Sequence, residues 1–393
     1  MPIPTRLAEV GFGEGSTANY NGAGRSYLVR VLNGNLYLVF IDAFSDVVFT
    51  KSTNNGLTWS NVTVISVGST NALAVWYDRW SGIAGGLIHC AYTDNGVDDI
   101  LYRSINTESS DALGSQTTVF AGSTAVAGGA LSITRGRNGD LRVAGSIDAG
   151  TEDGAWSSTD AGATWADTIA DPSEAATEDQ YLLLPGWNAD TADIMLIFWD
   201  ASVDELSVKR YDDSGNTWAE TSIATGMVNL IASLAFPNVA AAVDLANSRN
   251  VVVAWTNVDT LNADLRCWII DDTTITEVTN VVANSTDDQG LCGISIDTAS
   301  GYWYVFYLGA SGGSEIWQTS LNVYYKVSQD SGTTWGPEIK LTSFSGQRLL
   351  LLSCPRFTGT PVLGYFLTLN GIQALFVVTE ARQPSANYQI GLV

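Results

Sequence analysis

Short apolar runs separated by turn residues recur along the whole chain. Residues 27–31 and 36–41 form one such pair, joined at Asn33-Gly34, and Asn-Gly between two apolar runs is a strong β-hairpin signal. Residues 36–41 read Leu-Tyr-Leu-Val-Phe-Ile, which is typical of a strand covered on both faces. No helical periodicity of useful length competes with these runs. The pattern therefore predicts an all-β chain built from hairpins.

The hairpin pattern repeats at intervals of about 50 to 60 residues. Four short strands per repeat, stacked face to face around an axis, predict a single β-propeller of seven four-stranded blades. A ring of six blades with one irregular insertion is the alternative. Residues 1–24 are expected to contribute to ring closure, which protects the sheet edges. The predicted blades span residues 25–68, 70–122, 128–172, 178–226, 232–285, 289–344 and 346–393 of one domain, 1–393.

A phrase of the form Ser-x-Asp-x-Gly-x-Thr-Trp occurs four times, with an Asn for the Asp in the first copy and a Tyr for the Ser in the third. Its Asp or Asn can cap the backbone N–H groups of a turn, its Gly accepts a positive φ, and its Trp packs the turn onto the sheet. The characteristic residues are Asn54, Gly56 and Trp59; Asp160, Gly162 and Trp165; Asp213, Gly215 and Trp218; and Asp330, Gly332 and Trp335.

These four segments resemble the Asp boxes, or BNR repeats, of the sialidase-like β-propellers. The resemblance implies that each box lies between the third and fourth strands of a blade, on the face away from the substrate site, and has a structural role. A sialidase also needs an arginine triad, a Tyr nucleophile polarised by a Glu, an Asp acid and an early Arg-Ile-Pro motif. Arg25 and Arg30 are the nearest candidates for that motif, but no Ile-Pro follows them. The sialidase catalytic signature is therefore not recognised.

The predicted connections between second and third strands begin with an Asp or Asn in five blades and end with a carboxylate. Turn capping and solubility explain this pattern in structural terms. A ring of oxygen ligands for Ca²⁺ or for sugar hydroxyls is the functional interpretation. No cofactor is required by the predicted function, and whether a metal binds stays open. The candidate ligand-binding carboxylates are Asp42, Asp94, Asp148 and Asp200.

Aromatic side chains near loops are a second source of carbohydrate contacts, because a ring face packs against the C–H face of a sugar. Trp199 lies near a predicted loop, and Trp317 lies in the longest inter-strand connection, residues 308–322. A lone Trp in such a connection favours a contact site. Both residues are therefore predicted to bind ligand.

Paired carboxylates on the same face could also serve glycoside hydrolysis, which requires two carboxyl groups roughly 5 to 9.5 Å apart. If the protein is an enzyme, the candidates are Asp46, Asp99, Glu152 and Glu205. Their abundance on one face gives no specificity, and the sequence favours a protein that is not an enzyme.

The charge balance excludes one large class of partner. With 41 acidic and 18 basic side chains, the net charge is -23, so a nucleic-acid footprint, which needs a basic face, is not expected. An acidic rim would also repel an anionic substrate.

No apolar run is long enough for a membrane span, and the sequence start shows no signal-peptide pattern. The four cysteines, which show no CxxC pair, are predicted to be buried thiols.

These observations favour a non-enzymatic propeller that acts as a binding or structural module. Asp-box propellers commonly act outside cells, and a bacteriophage virion component that contacts glycans or a host surface receptor reconciles this with the absence of a secretion signal. Its partners would then include other virion proteins, and its location would be the particle surface; an ordinary cytoplasmic protein is the other reading. A sialidase-like glycoside hydrolase and a scaffold that binds proteins are the alternatives.

Overall fold

The apolar runs form the strands of a computed structural model. No helix long and apolar enough to cross a membrane occurs in the part of the chain that the structure describes. That part comprises residues 5–6, 28–42, 44–56, 58–122, 131–147, 152–172, 182–200, 202–227, 239–256, 262–287, 290–312, 315, 322–341, 349–353, 356–357, 363–369 and 372–378.

The described residues contain 29 strands and one short 3-10 turn, Asp78–Ser81. In chain order the strands are β1 (Thr5–Arg6), β2 (Leu28–Arg30), β3 (Leu36–Ile41), β4 (Val47–Ser52), β5 (Thr63–Ser66), β6 (Leu73–Tyr77), β7 (Leu87–Asp94), β8 (Asp99–Asn106), β9 (Ala112–Leu113), β10 (Thr117–Phe120), β11 (Leu131–Arg135), β12 (Leu141–Ile147), β13 (Glu152–Ser158), β14 (Leu182–Pro185), β15 (Ile194–Asp200), β16 (Glu205–Asp212), β17 (Thr217–Thr225), β18 (Val239–Asp244), β19 (Arg249–Trp255), β20 (Leu265–Asp271), β21 (Thr274–Glu277), β22 (Cys292–Asp297), β23 (Trp303–Leu308), β24 (Val323–Ser328), β25 (Ile339–Lys340), β26 (Leu349–Ser353), β27 (Arg356–Phe357), β28 (Leu363–Leu369) and β29 (Ile372–Val378).

These strands form seven sheets, in which consecutive strands pair mainly antiparallel. The sheets are β2-β3-β4-β5; β6-β7-β8-β10, with β9 beside β8; β11-β12-β13; β14-β15-β16-β17; β18-β19-β20-β21; β27-β22-β23-β24-β25; and β26-β28-β29-β1.

The innermost strands bring the sheets together. Strand β6 contacts β11, β11 contacts β14, and the same relation continues through β18 and β22 to β26. Strand β3 is buried at all six positions, as its uninterrupted apolar sequence requires, because neighbouring sheets cover both of its faces. This arrangement is a β-propeller, and the predicted all-β propeller fold is confirmed.

The last sheet joins the two ends of the chain. Strand β1 pairs antiparallel with β29, with Thr5 opposite Val377 and Arg6 opposite Phe376. Because β1 is the outermost strand of this sheet, a segment from the start of the chain covers an edge that would otherwise expose unpaired backbone groups.

Three of the four box segments share one hydrogen-bond pattern. In the segment at Asp160, the Ser158 hydroxyl accepts the Gly162 N–H at 2.8 Å, and Asp160 Oδ1 accepts the Thr164 N–H at 2.8 Å. The Thr164 hydroxyl and amide N–H, which both donate to this carboxylate, lower the pKa of Asp160 to about 2. The segments at Asn54 and Asp330 repeat both backbone contacts at the same distances.

The fourth segment, around Asp213, differs from the predicted box. Tyr211 stands where the other segments have Ser and has no short hydroxyl that could accept the Gly215 N–H, which instead donates to Asp212. The left-handed residue is Asn216, at φ 48°, rather than the glycine. Asp213 accepts a hydrogen bond from Arg142. Asp213 and Gly215 therefore belong to a hairpin loop, residues 213–216, that lacks the hydrogen bonds of the other three segments, and Trp218 lies in β17.

Two of the box tryptophans, Trp165 and Trp335, connect neighbouring sheets. The Trp165 indole N–H donates to Thr117 Oγ1 at 3.2 Å, and the Trp335 N–H donates to the Thr279 carbonyl at 2.8 Å. Thr117 and Thr279 belong to the preceding sheet in each case, and their hydroxyls donate back to carbonyls of the boxes. The box segments at Asp160 and Asp330 thus fasten their sheets to the preceding sheet, whereas the Trp59 N–H donates to the Gly56 carbonyl of its own box.

Candidate functional site

One end of the propeller carries the connections between second and third strands together with those between successive sheets. Backbone hydrogen bonds join the two sets: Ser45 O accepts the Thr70 N–H at 3.2 Å, and Ser69 O accepts the Asn95 N–H at 3.0 Å. We call this end the upper face and the end with the box segments at Asn54, Asp160 and Asp330 the lower face. The candidate ligand-binding and acid/base residues were all predicted for the upper face.

The carboxylates at the start of the upper-face connections cap their own turns. Asp42 Oδ1 accepts the N–H groups of Phe44 and Asp46 at 2.8 and 3.0 Å. Asp94 accepts the Gly96 N–H at 2.8 Å, and Asp200 accepts the Ser202 N–H at 2.9 Å and its hydroxyl at 2.6 Å. These contacts support the structural interpretation of Asp42, Asp94 and Asp200.

The carboxylates at the end of these connections accept hydrogen bonds from backbone N–H groups that follow the fourth strand of the same sheet. Asp46, directly before β4, accepts the Gly68 N–H at 2.6 Å, and Asp99, the first residue of β8, accepts the Gly122 N–H at 3.1 Å. Asp264, directly before β20, accepts the Asn284 N–H at 2.6 Å in the same way. Two of the four acid/base candidates thus belong to a recurring structural contact.

The other predicted residues are distributed as follows. Glu205 is a half-buried residue at the start of β16, and only the backbone of Glu152, in β13, is described. Asp148 and Trp317 lie outside the described residues. The structure corrects the prediction that Trp199 lies near a loop and is available to a ligand. Its side chain is only 6% exposed and packs in the core. Its position near the end of β15 suggested a loop, but the strand continues and turns the ring inward.

The sixth sheet carries a tyrosine–glutamate cluster made of Tyr307, Tyr324, Glu315, Glu338, Asn322 and Lys340. Tyr307, the last but one residue of the second strand, pairs with Tyr324, the second residue of the third, and the centroids of their stacked rings are 6.2 Å apart. The Tyr307 hydroxyl donates to Glu338 Oε2 and the Tyr324 hydroxyl to Glu315 Oε1, each at 2.7 Å. The cluster therefore contains two aromatic–carboxylate pairs side by side.

The same carboxylates fix the long connection that follows Tyr307. Glu338 accepts the Ser311 N–H and hydroxyl at 3.0 and 3.1 Å. Glu315 accepts the Asn322 N–H and its side-chain amide, each at 2.9 Å, and Lys340 lies 3.2 Å from Glu315 Oε1. Both ends of the connection are thus held by ionisable side chains, with Ser311 and Lys340 exposed beside them.

Burial and the neighbouring carboxylates keep both tyrosines protonated. Burial raises the pKa of Tyr307, and the Glu338 carboxylate raises it further. The pKa of Tyr324 is raised by burial and by its hydrogen bond to Glu315. Each hydroxyl is therefore a fixed hydrogen-bond donor at neutral pH.

Sequence reasoning drew attention to this connection through its length and Trp317 but missed Tyr307, Tyr324 and Glu338. The sequence signal available was a Tyr at the last apolar positions of β23 and another near the start of β24. Nothing in the sequence indicated that Glu338, 31 residues after Tyr307, would meet it.

A second polar cluster is buried on the lower-face side of the second sheet. His89, the single histidine of the chain, is fully buried and lies 2.7 Å from both Asp78 Oδ1 and the Tyr102 hydroxyl. Arg135, from the next sheet, pairs with the same Asp78 oxygen. Burial lowers the pKa of His89, so the imidazole is neutral. Burial is the largest effect and opposes ionisation of Asp78, but the contacts with His89, the Leu87 N–H and Arg135 together outweigh it, so the pKa of Asp78 is lowered. Because His89, Asp78 and Tyr102 are all buried, these contacts indicate a structural role for the cluster.

The described residues contain no cluster of typical metal ligands. No group of three or more His, Cys, Asp or Glu side chains there could hold a metal ion. Among the described residues, Cys90, Cys267 and Cys292 are buried thiols that form no disulfide; Cys354 lies outside the described residues.

The chain is similar in fold to several solved structures. An ulvan lyase, a polysaccharide lyase, matches with a TM-score of 0.58 at 8% sequence identity over 94% of both chains. The same kind of lyase bound to -[GlcA(1-4)Rha3S]- gives 0.57 at 9% identity, over 92% of this chain and 94% of the lyase. Hydrazine synthase from Kuenenia stuttgartiensis gives 0.55 at 10% identity, over 94% and 99%. No family model and no curated protein matches the chain. The similarity therefore shows the fold alone.

Proposed function

We propose that this protein is a non-enzymatic propeller that binds a glycan at the sixth sheet of its upper face. The observation that carries the proposal is the tyrosine–glutamate cluster, which holds both ends of the 309–322 connection through Glu338 and Glu315. The described residues at the two ends of this connection are already ordered by these contacts, so they lose little conformational freedom on binding. The fold is compatible with such a ligand, since a propeller of this fold has been solved with an oligosaccharide.

The chemistry around the cluster suits sugar hydroxyls. Ser311 and Lys340 are exposed polar groups beside the buried, stacked rings of Tyr307 and Tyr324, and a hydroxyl and an ammonium group can both hydrogen-bond to sugar hydroxyls. Trp317, the aromatic contact predicted from the sequence, belongs to the same connection. The net charge of -23 disfavours anionic saccharides, so the proposed ligand is a neutral glycan.

The acid/base candidates support binding rather than hydrolysis. Asp46 and Asp99 each use a carboxylate oxygen to accept a backbone N–H, and Glu315 accepts hydrogen bonds from Asn322, Tyr324 and Lys340. A general acid or base has to exchange a proton with its substrate within hydrogen-bond reach. Carboxylates engaged in this way are better suited to holding loops.

Replacement of Trp317 with alanine should weaken glycan binding by at least about tenfold, because an aromatic contact in a small interface carries much of the binding energy. The measurement is retention of the purified protein on a diverse glycan array, with and without Ca²⁺, with released sugar recorded in parallel. Leu32→Ala, at an exposed position of the lower face, is the matched control and should bind normally. Wild-type protein that retains no glycan contradicts the proposal, and so does sugar release.

A glycoside hydrolase is the second candidate function, and one contact favours it. The Tyr324 hydroxyl donates to Glu315 at 2.7 Å, and a tyrosine polarised by a glutamate is the nucleophile expected of sialidase-like enzymes. In Tyr324→Phe, a hydrolase would lose the sugar release shown by the wild type, whereas for a binding protein neither the wild type nor the variant would release sugar.

The proposal also retains a virion component as the biological setting. A glycan-contacting module of this kind would serve adhesion of a bacteriophage particle to its host. Mass spectrometry of purified particles should then detect the protein at a constant ratio to the major capsid protein. Absence of the protein from purified particles would contradict the virion setting. The proposed glycan site would still be tested separately by the glycan array.

A further inference from the structure

Three large apolar side chains protrude from one region of the upper face. Phe44 is 82% exposed, Val67 is 78% exposed and Val97 is 57% exposed. Phe44 and Val97 occupy the second-to-third connections of the first and second sheets, and Val67 occupies the connection between these sheets. Exposed apolar groups that lie together mark interaction surfaces more often than single ones do.

Hydrogen bonds make the three segments one continuous surface. Thr70 donates to Ser45 O, which joins the inter-sheet connection to the first hairpin, and Asn95 donates to Ser69 O, which joins it to the second. Gly68, next to Val67, donates to Asp46. We call the surface formed by residues 42, 44–46, 67–71 and 94–99 the Phe44 patch.

The Phe44 patch is strongly acidic. Its three segments contain no Lys or Arg, and its carboxylates are Asp42, Asp46, Asp94, Asp98 and Asp99. Four of these carboxylates accept hydrogen bonds from backbone N–H groups. These bonds order the connections but do not neutralise the carboxylates. The patch thus combines protruding apolar groups with uncompensated negative charge.

We propose that the Phe44 patch docks a cationic segment of a protein partner, one that offers apolar groups to Phe44, Val67 and Val97 and Lys or Arg side chains to the carboxylates. Charge complementarity selects this occupant. A second copy of this chain, with its net charge of -23, and an anionic lipid surface would both be repelled by the same carboxylates.

The backbone of the patch is suited to this role because it is already ordered. Asp42 holds the Phe44 hairpin through two backbone N–H groups, and Asp94 holds the Val97 hairpin through Gly96. Pre-organised loops reduce the ordering cost of association. Phe44 is expected to be the main anchor, since large aromatic side chains dominate the energetics of interfaces.

The test uses a displayed library of random peptides selected on the wild-type protein at low salt. Recovered peptides should combine Lys or Arg with aromatic or aliphatic residues and should compete for one site. Their affinity should fall at least about tenfold in Phe44→Ser and in Val97→Ser. Affinity should also fall at least about tenfold when NaCl is raised from roughly 50 to 500 mM.

Two variants serve as matched controls. Val203→Ser changes a valine of the same 57% exposure on the corresponding connection of the fourth sheet, and Leu32→Ser changes a 65% exposed residue of the lower face. Both should bind the peptides within about twofold of the wild type. Recovery of no cationic peptide, equal losses in the controls, self-association abolished by Phe44→Ser, or binding to anionic vesicles would each overturn the proposal.

Discussion

Replacing Asp78 with alanine should lower the free energy of unfolding by about 3–5 kcal/mol, since removal of one partner from a buried ion pair leaves the other charge uncompensated. Asp78 is 1% exposed and accepts hydrogen bonds from His89, from Arg135 and, at 2.9 Å, from the Leu87 N–H. All three donors would lose their acceptor at once. Urea unfolding at pH 7 measures the loss.

A surface ion pair on the neighbouring segment is the control. Glu108 is exposed and lies 3.9 Å from Arg79, so Glu108→Ala should change stability by less than about 1 kcal/mol. If Asp78→Ala does not fold, the milder Asp78→Asn keeps the size of the side chain and allows the comparison. A loss equal to that of Glu108→Ala would contradict a structural role for the buried cluster.

The dependence on pH follows from the same contacts. The pKa of His89 is lowered in the folded state, so the unfolded chain binds more protons and stability is lost as the pH falls below about 6.5. The pKa of Asp78 is lowered as well, so its contribution is lost only at a pH below about 3.8. The stability advantage of the wild type over His89→Gln should therefore shrink between pH 7 and pH 5, by up to about 1.4 kcal/mol per pH unit.

Local chemistry explains which features of the fold could be predicted. The hairpin at Asn33-Gly34 forms between β2 and β3 as predicted, because turn geometry depends on the few residues in the turn. The segments at Asn54, Asp160 and Asp330 form the same turn because each has a Ser to accept the glycine N–H. Tyr211 stands at the position of this Ser and offers no short hydroxyl to the glycine N–H, so the matching Gly215, Thr217 and Trp218 do not produce the same turn.

Long-range contacts explain what could not be predicted. Trp199 was expected at a loop, and only packing against other sheets shows that it is buried. The pairing of Tyr307 with Glu338 depends on how a third-to-fourth connection returns past the second strand. Sequence spacing shows that carboxylates crowd the upper face, but it does not show that Asp46 and Asp99 are used to hold backbone N–H groups.

Replacing Gly162 with alanine should cost about 2–5 kcal/mol of stability, because two penalties coincide there. Gly162 has φ +90°, a left-handed conformation that costs an L-residue about 1–2 kcal/mol. In addition, a Cβ at this position would overlap the ring of Tyr102, and overpacking of a dense core costs about 1–3 kcal/mol. The measurement is urea unfolding of the wild type and the variant under identical conditions.

Gly301→Ala separates the two penalties. Gly301 has φ +75°, and nothing lies within 4 Å of a Cβ built there, so this variant should show only the backbone cost of about 1–2 kcal/mol. Equal losses in the two variants would mean that the Asp-box glycine is required for its turn alone. A larger loss in Gly162→Ala means that close packing on Tyr102, in the preceding sheet, also selects glycine. The same contact then couples the box to the hydrogen bond between Tyr102 and His89, so Gly162→Ala should also reduce the pH dependence attributed to His89.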